Sequence, residues 1–166
     1  MSDVLRVLRQ EHVNIAALVR TLEWQVGQFE RGERRDYDVI RATLDYFLSF
    51  PDLYHHPKED MVFAALAARD PDTVRKIGDL REEHEKLAAR SREFAEGLRA
   101  VLDEAQVPRD SFLNWARAFI ALQWQHMNME EQSFFPAAEN ALTPSDWEEL
   151  KQRMTREEDP LFGEHV

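Results

Sequence analysis

The sequence predicts an all-α protein, an up-down-up-down four-helix bundle with a short fifth helix at its C-terminal end. Three observations predict it. Along four long segments, apolar residues recur in alternating steps of three and four, the period of a helix with one buried face. Short connections join these segments, which makes consecutive helices antiparallel neighbours. Five glycines and seven prolines among 166 residues leave little punctuation for a sheet protein. The length suits one core, so a single domain over 1–166 is expected, with the bundle at about 3–141 and the fifth helix and tail at 143–166.

The first helix is expected from about Asp3 to Glu30, with Leu5, Leu8, His12, Ile15, Val19, Leu22 and Val26 on its seam and Gly32 at its end. The second runs from about Asp36 to Ala68. Leu44, Phe47 and Leu48 precede His55; Val62, Phe63 and Leu66 follow Glu59. Pro51 and Pro57 interrupt it, and a kink or restart is expected near Pro51. Asp70-Pro71-Asp72 makes the next turn. The third helix is expected from about Asp72 to Ala105, with Ile77, Leu80, His84, Leu87, Ser91, Phe94, Leu98 and Val101 on one side. Pro108 separates it from the fourth, about Arg109 to Ala141, whose seam is Trp115, Phe119, Leu122, His126, Glu130 and Phe134. Thr143-Pro144-Ser145-Asp146 then opens the fifth, with Thr as N-cap, Pro at N1 and Asp at N3. The tail EEDPLFGEHV has no periodicity.

Polar residues interrupt these apolar seams at one level. His55/Glu59 and His126/Glu130 have i,i+4 spacing, so each pair points one way. His12 and His84 sit on seams of their own. In an antiparallel bundle, residues meet when they lie equally far from the shared turn. His12 and His55 are each about 21 residues from the first turn. His55 and His84 are about 15 and 14 from the second, and His84 and His126 about 23 and 19 from the third. At about 1.5 Å of rise per residue, the worst mismatch is about 6 Å, one helical turn. Four histidines therefore share one height in one core. Burying two carboxylates beside them costs several kcal/mol unless a cation joins them. His12, His55, Glu59, His84, His126 and Glu130 are the expected metal ligands.

Neighbouring residues compete for these roles. His56/Asp60 repeats the spacing, but on a stripe with Asp45, Ser49 and Asp52, so His56 is expected behind the ligands or at the surface. Glu131 is rotated away from the Glu130 stripe. Glu11, Glu83 and Glu85 are expected in solvent, and His165 at the surface of the tail. Tyr54 is read as packing, and Trp24, Trp115 and Trp124 as core or groove aromatics. One ion with all six ligands would be saturated. Two ions bridged by both carboxylates would each receive two imidazoles and two oxygens, leaving room for chemistry. Mixed nitrogen and oxygen ligation suits iron, with manganese or zinc as substitutes.

The rest of the composition excludes alternatives. With 32 acidic and 21 basic residues the net charge is −11, which argues against nucleic acid and anionic membranes as partners. The absence of cysteine excludes disulfides, thiolate sites and iron–sulfur ligation. The N-terminal MSDVLRVLRQEH is charged throughout, unlike a signal peptide, and no apolar run has membrane-spanning length. A cytoplasmic location is expected. The ferritin-like arrangement needs Glu-x-x-His, which the chain lacks.

Four pieces, EH at 11–12, HHPKED at 55–60, EEHEKL at 82–87 and HMNMEEQSFFP at 126–136, give a chain that resembles the hemerythrin-like family of cation-binding HHE domains over about residues 3–141. The resemblance implies a non-haem di-iron centre bridged by carboxylates. His12 and His55 would serve one iron, His84 and His126 the other, with Glu59 and Glu130 bridging. The oxygen carriers of the family have a further histidine one turn after His84, where this chain has Ala88. They also have an aspartate five residues after the last histidine, where Glu130 here comes after four. These departures point away from oxygen transport and toward the bacterial di-iron proteins linked to repair of iron centres and nitric oxide stress. The vacancy left by Ala88 is expected at the iron of His84 and His126. Oxygen, nitric oxide or peroxide would bind or react there, in sensing or stress response. The alternatives are an iron donor and a peroxidase-like enzyme. A protein partner or a homodimer is compatible with this reading.

Overall fold

Ser2 starts the first helix by accepting the Leu5 N–H, and α1 runs Asp3–Arg31. Gly32, at φ 72°, ends it in the left-handed conformation that glycine adopts without strain. The computed structural model describes residues 2–34, 36–103, 107–154 and 159–163. Asp36 caps α2, Tyr37–Phe47. A π-helical turn over Pro51–His55 leads directly into α3, His56–Arg69. Next come α4, Pro71–Ile77, and α5, Leu80–Leu102. The last long segment comprises α6, Arg109–Met129, a second π-helical turn over Glu130–Phe134, and α7, Phe135–Ala141. The fifth helix, α8, Pro144–Arg153, opens with the expected capping box between Thr143 and Asp146.

The protein is a helical bundle. Among the described residues there is no strand, only a bridge between Asp159 and Gly163. The Asp159 carboxylate is buried and accepts the Tyr46 hydroxyl at 2.9 Å, which ties the aperiodic tail to α2. α1 packs on α2, α6 and α8, α2 on α5, α5 on α6, and α3 on α5 and α7. All seven predicted seam residues of α1 are buried.

The core has two apolar clusters. One gathers Ile15 and Val19 with Leu44, Phe47, Phe94, Phe112 and Phe119. The other gathers Leu5 and Leu8 with Val62, Leu66, Leu80, Phe134 and Phe135. Each long segment crosses from one cluster to the other at its histidine: Leu8 to Ile15, Phe50 to Val62, Leu80 to Phe94, Met127 to Phe134. The direction of crossing alternates along the chain. A polar layer at one height thus divides the core.

Two expectations need correction. The third segment is not continuous from Asp72, because Gly78 adopts φ 105° and Asp79 caps a fresh helix through the Glu82 N–H. The end expected near Ala105 lies outside the described residues, as does His165. Trp24 is 58 % exposed, not a core aromatic. It lies between the buried Leu22 and Val26, about 160–200° from either on a regular helix, and its size does not override that phase. Trp115 and Trp124 do pack against the core, as does Tyr54.

Gly97 marks the close approach of α5 and α6. A Cβ there would run into the Trp115 ring. Gly→Ala in a helix ordinarily gains about 1 kcal/mol. Overpacking costs typically 1–3 kcal/mol and should win here. Gly97→Ala is therefore expected to lower the urea midpoint; an unchanged or raised midpoint would show that the indole swings aside.

Candidate metal centre

Two of the predicted positions, His55 and Glu130, lie in irregular winding. In a π-helical turn the bonds run i→i+5: His56 N–H reaches Pro51 O, and Phe135 N–H reaches Glu130 O. One such turn accommodates an extra residue and rotates the next stretch of helix by roughly 100° relative to regular winding. His55 and His56 close the first turn, and Glu130 opens the second.

The six predicted residues all come together. Glu59 and Glu130 are fully buried, and His12, His55, His84 and His126 are each no more than 6 % exposed. Glu59 Oε1 lies 3.2 Å from Nε2 of both His12 and His55, and its Oε2 lies 3.4 Å from His84 Nε2. Glu130 Oε2 lies 3.2 Å from His12 Nε2. Its Oε1 lies 3.1 Å from His126 Nε2 and 3.6 Å from His84 Nε2. Each carboxylate thus turns one oxygen toward His12 and the other toward His84.

His56 belongs to the same site, contrary to the sequence expectation. It is buried and stacks on His84 with ring centroids 4.2 Å apart. Ligand atoms of His56, Glu59, His84 and His126 lie within 4.8 Å of one another, as do those of His12, His55 and Glu59. The rings form two matching groups, with His12 and His55 4.9 Å apart and His84 and His126 5.0 Å apart. The difference has a physical cause. The polar stripe through Asp45, Ser49 and Asp52 reaches His56 only in regular helical phase, and the turn over Pro51–His55 changes that phase.

Each of the five clustered imidazoles has a carboxylate behind it. Nδ1 of His12 meets Glu131 at 2.9 Å, that of His55 meets Glu11 at 2.8 Å, and that of His56 meets Asp52 at 3.2 Å. Nδ1 of His84 meets Asp60 at 3.1 Å, and that of His126 meets Glu83 at 3.3 Å. Glu11, expected in solvent, is buried and paired with the buried Lys58. Glu83 and Glu131 are half-buried and face histidines of other helices, while Glu85 is exposed as expected. With Nδ1 so engaged, each imidazole presents Nε2 inward.

Most of the inward atoms make no hydrogen bond. Among the described residues, seven buried polar atoms make no hydrogen bond: Nε2 of His12, His84 and His126, and all four oxygens of Glu59 and Glu130. Buried polar groups are ordinarily satisfied. Seven orphans converging on one spot fit a cation, which accepts imidazole nitrogen and carboxylate oxygen together. His56 is held neutral, its pKa pushed down to about 4 chiefly by burial, as a ligand must be.

A helical bundle whose core is cut by such a layer is, as a class, a cation-binding protein. The hemerythrin HHE cation-binding domain model matches residues 3–138, and the chain belongs to this family. No curated protein and no solved structure gives a significant match. No helix among the described residues is long and apolar enough to cross a membrane.

Proposed function

We propose that the protein is a non-haem di-iron protein of the up-down-up-down four-helix type, one domain over 1–166, acting in the cytoplasm. The observation that carries the reading is the division of each buried carboxylate between two groups of imidazoles. One iron would be held by His12 and His55, the other by His56, His84 and His126, with Glu59 and Glu130 shared. The alternating direction in which the segments cross between the two apolar clusters supports the topology.

This division moves the open position. With His56 included, one iron would be offered three imidazoles and the other only His12 and His55. Room for a small ligand would therefore lie on the His12/His55 side, and His56 would stand in for the histidine that Ala88 replaces. The iron pair would supply reversible redox change and binding of oxygen, nitric oxide or peroxide, in sensing or stress response. The protein's part is to hold five imidazoles inward and to leave one place free. The acidic balance of the chain favours such small neutral partners over nucleic acid.

Protein produced with adequate iron is expected to retain two iron ions per chain. Azide or nitric oxide should change its optical spectrum at one equivalent per chain. A reproducible content of one ion, with no second on reconstitution, would overturn the dinuclear reading. Two ions with no response to either ligand would overturn the open position.

A further inference from the structure

Four of the five carboxylates behind the imidazoles obey one rule. Each lies next in sequence to an inner ligand on its own segment but serves the histidine of the following segment. Glu11, beside His12, holds His55 on the second segment. Asp60, beside Glu59, holds His84 on the third. Glu83, beside His84, holds His126 on the fourth. Glu131, beside Glu130, returns to His12 on the first. The links close into a ring. Asp52, which serves His56 from four residues earlier in the same segment, stands outside it.

The geometry explains the rule. Adjacent helical residues point about 100° apart, so beside a residue aimed at the bundle axis is one aimed at the seam with a neighbouring helix. Whether that neighbour is the preceding or the following residue depends on helix direction, because reversing a helix reverses its sense of rotation seen from a fixed end. The first and third segments use the preceding residue, Glu11 and Glu83. The second and fourth use the following one, Asp60 and Glu131. That alternation is what a ring running one way round an up-down-up-down bundle requires.

We infer that Glu11, Asp60, Glu83 and Glu131 are positioning residues, each of which orients the metal-binding imidazole of the next helix and not that of its own. The inference rests on the di-iron reading for its purpose, but its geometry belongs to the metal-free chain. Holding Nδ1 against a carboxylate fixes ring rotation and leaves Nε2 as the inward nitrogen. Losing a link frees one imidazole, so only one side of the centre suffers.

Two measurements test it. In metal-free protein with nitrogen-15-labelled histidine, Glu83→Ala is expected to abolish the hydrogen-bonded Nδ1–H signal of His126 while that of His84 persists. Asp60→Ala should do the same to His84 and spare the others. In cobalt(II) titrations, Glu83→Ala should weaken one of two equivalents about 10–100-fold, the usual effect of removing such a partner. Glu83→Gln keeps an acceptor oxygen and should restore the Nδ1–H signal. Loss of the His84 signal in Glu83→Ala, or an unchanged His126 signal with unchanged affinity, would overturn the ring. If wild-type protein binds fewer than two cobalt ions while the signals vanish as stated, the di-iron reading fails and the positioning role stands.

Discussion

Glu59→Ala is expected to strip the centre of both ions, whereas His126→Ala should release only one. The asymmetry comes from reach. His126 Nε2 faces Glu130 on the three-imidazole side, where His56 and His84 also stand. Glu59 turns one oxygen to His12 and His55 and the other to His84, so its loss removes a negative ligand atom from both positions. Removing one member of a buried charged set costs about 3–5 kcal/mol, a loss of roughly a hundredfold to several thousandfold in affinity. After reconstitution and desalting, metal analysis should give near zero ions per chain for Glu59→Ala and near one for His126→Ala. A Glu59→Ala protein that keeps one ion tightly would show that this carboxylate does not bridge.

Removing the metal should lower the melting temperature by about 10 °C, and the gap should widen from pH 6 to pH 8. At metal a thousandfold above its dissociation constant, binding stabilises by about 4 kcal/mol, and 1 kcal/mol shifts the transition by roughly 2–4 °C at this size. The pH dependence comes from the metal-free state. Burial alone would depress the histidines, but it is outweighed. The facing Asp60, Glu130 and Glu59 carboxylates raise His84 to about 11, and Glu130 with Glu83 raises His126 to about 9. Unfolded histidine titrates near 6.5. The stabilisation is therefore complete below about 6.5 and is lost as pH rises through 9 and then 11. Glu59 and Glu130 are shifted the other way: burial would raise them, but the surrounding histidines hold them low. Their contribution is present above about 4.5 and lost as acid is added. Metal-free protein should thus be most stable near pH 5–6 and weaken above it. Metal binding needs neutral imidazoles and strengthens over the same interval. Calorimetry of chelated and reconstituted protein at both pH values would show the trend; a gap that narrows with pH would contradict the charge assignment.

The six inner residues are legible in the sequence because regular periodicity carries them. Each sits on an apolar seam, and the distances to the turns place them at one height. His56 is not legible, since its phase depends on a π-helical turn that apolar periodicity does not reveal. Pro51 signals irregularity without giving its form. The outer acids are hidden for a different reason. Glu11 and Glu83 look like solvated neighbours when each helix is considered alone, and their partners lie on another helix. A signal is present nonetheless, in the acid beside an inner ligand at 11–12, 59–60, 83–84 and 130–131. Gly78-Asp79 before Leu80 is likewise a readable restart, masked by an apolar pattern that continues in phase across it.

The two widened turns also bear on which changes in chain length the protein can tolerate. Insertions and deletions are usually absorbed at exposed loop tips. Deleting one residue from Pro51–Tyr54 would remove the extra residue, and regular winding would then leave the following helix, Glu59 included, in its present phase. The same holds for Glu130–Phe134 and the apolar face beyond it. A relative whose helices wind regularly there is therefore best aligned with a one-residue gap in each turn. An alignment without that gap would displace every residue beyond the turn by one position and match Glu59 with the wrong neighbour.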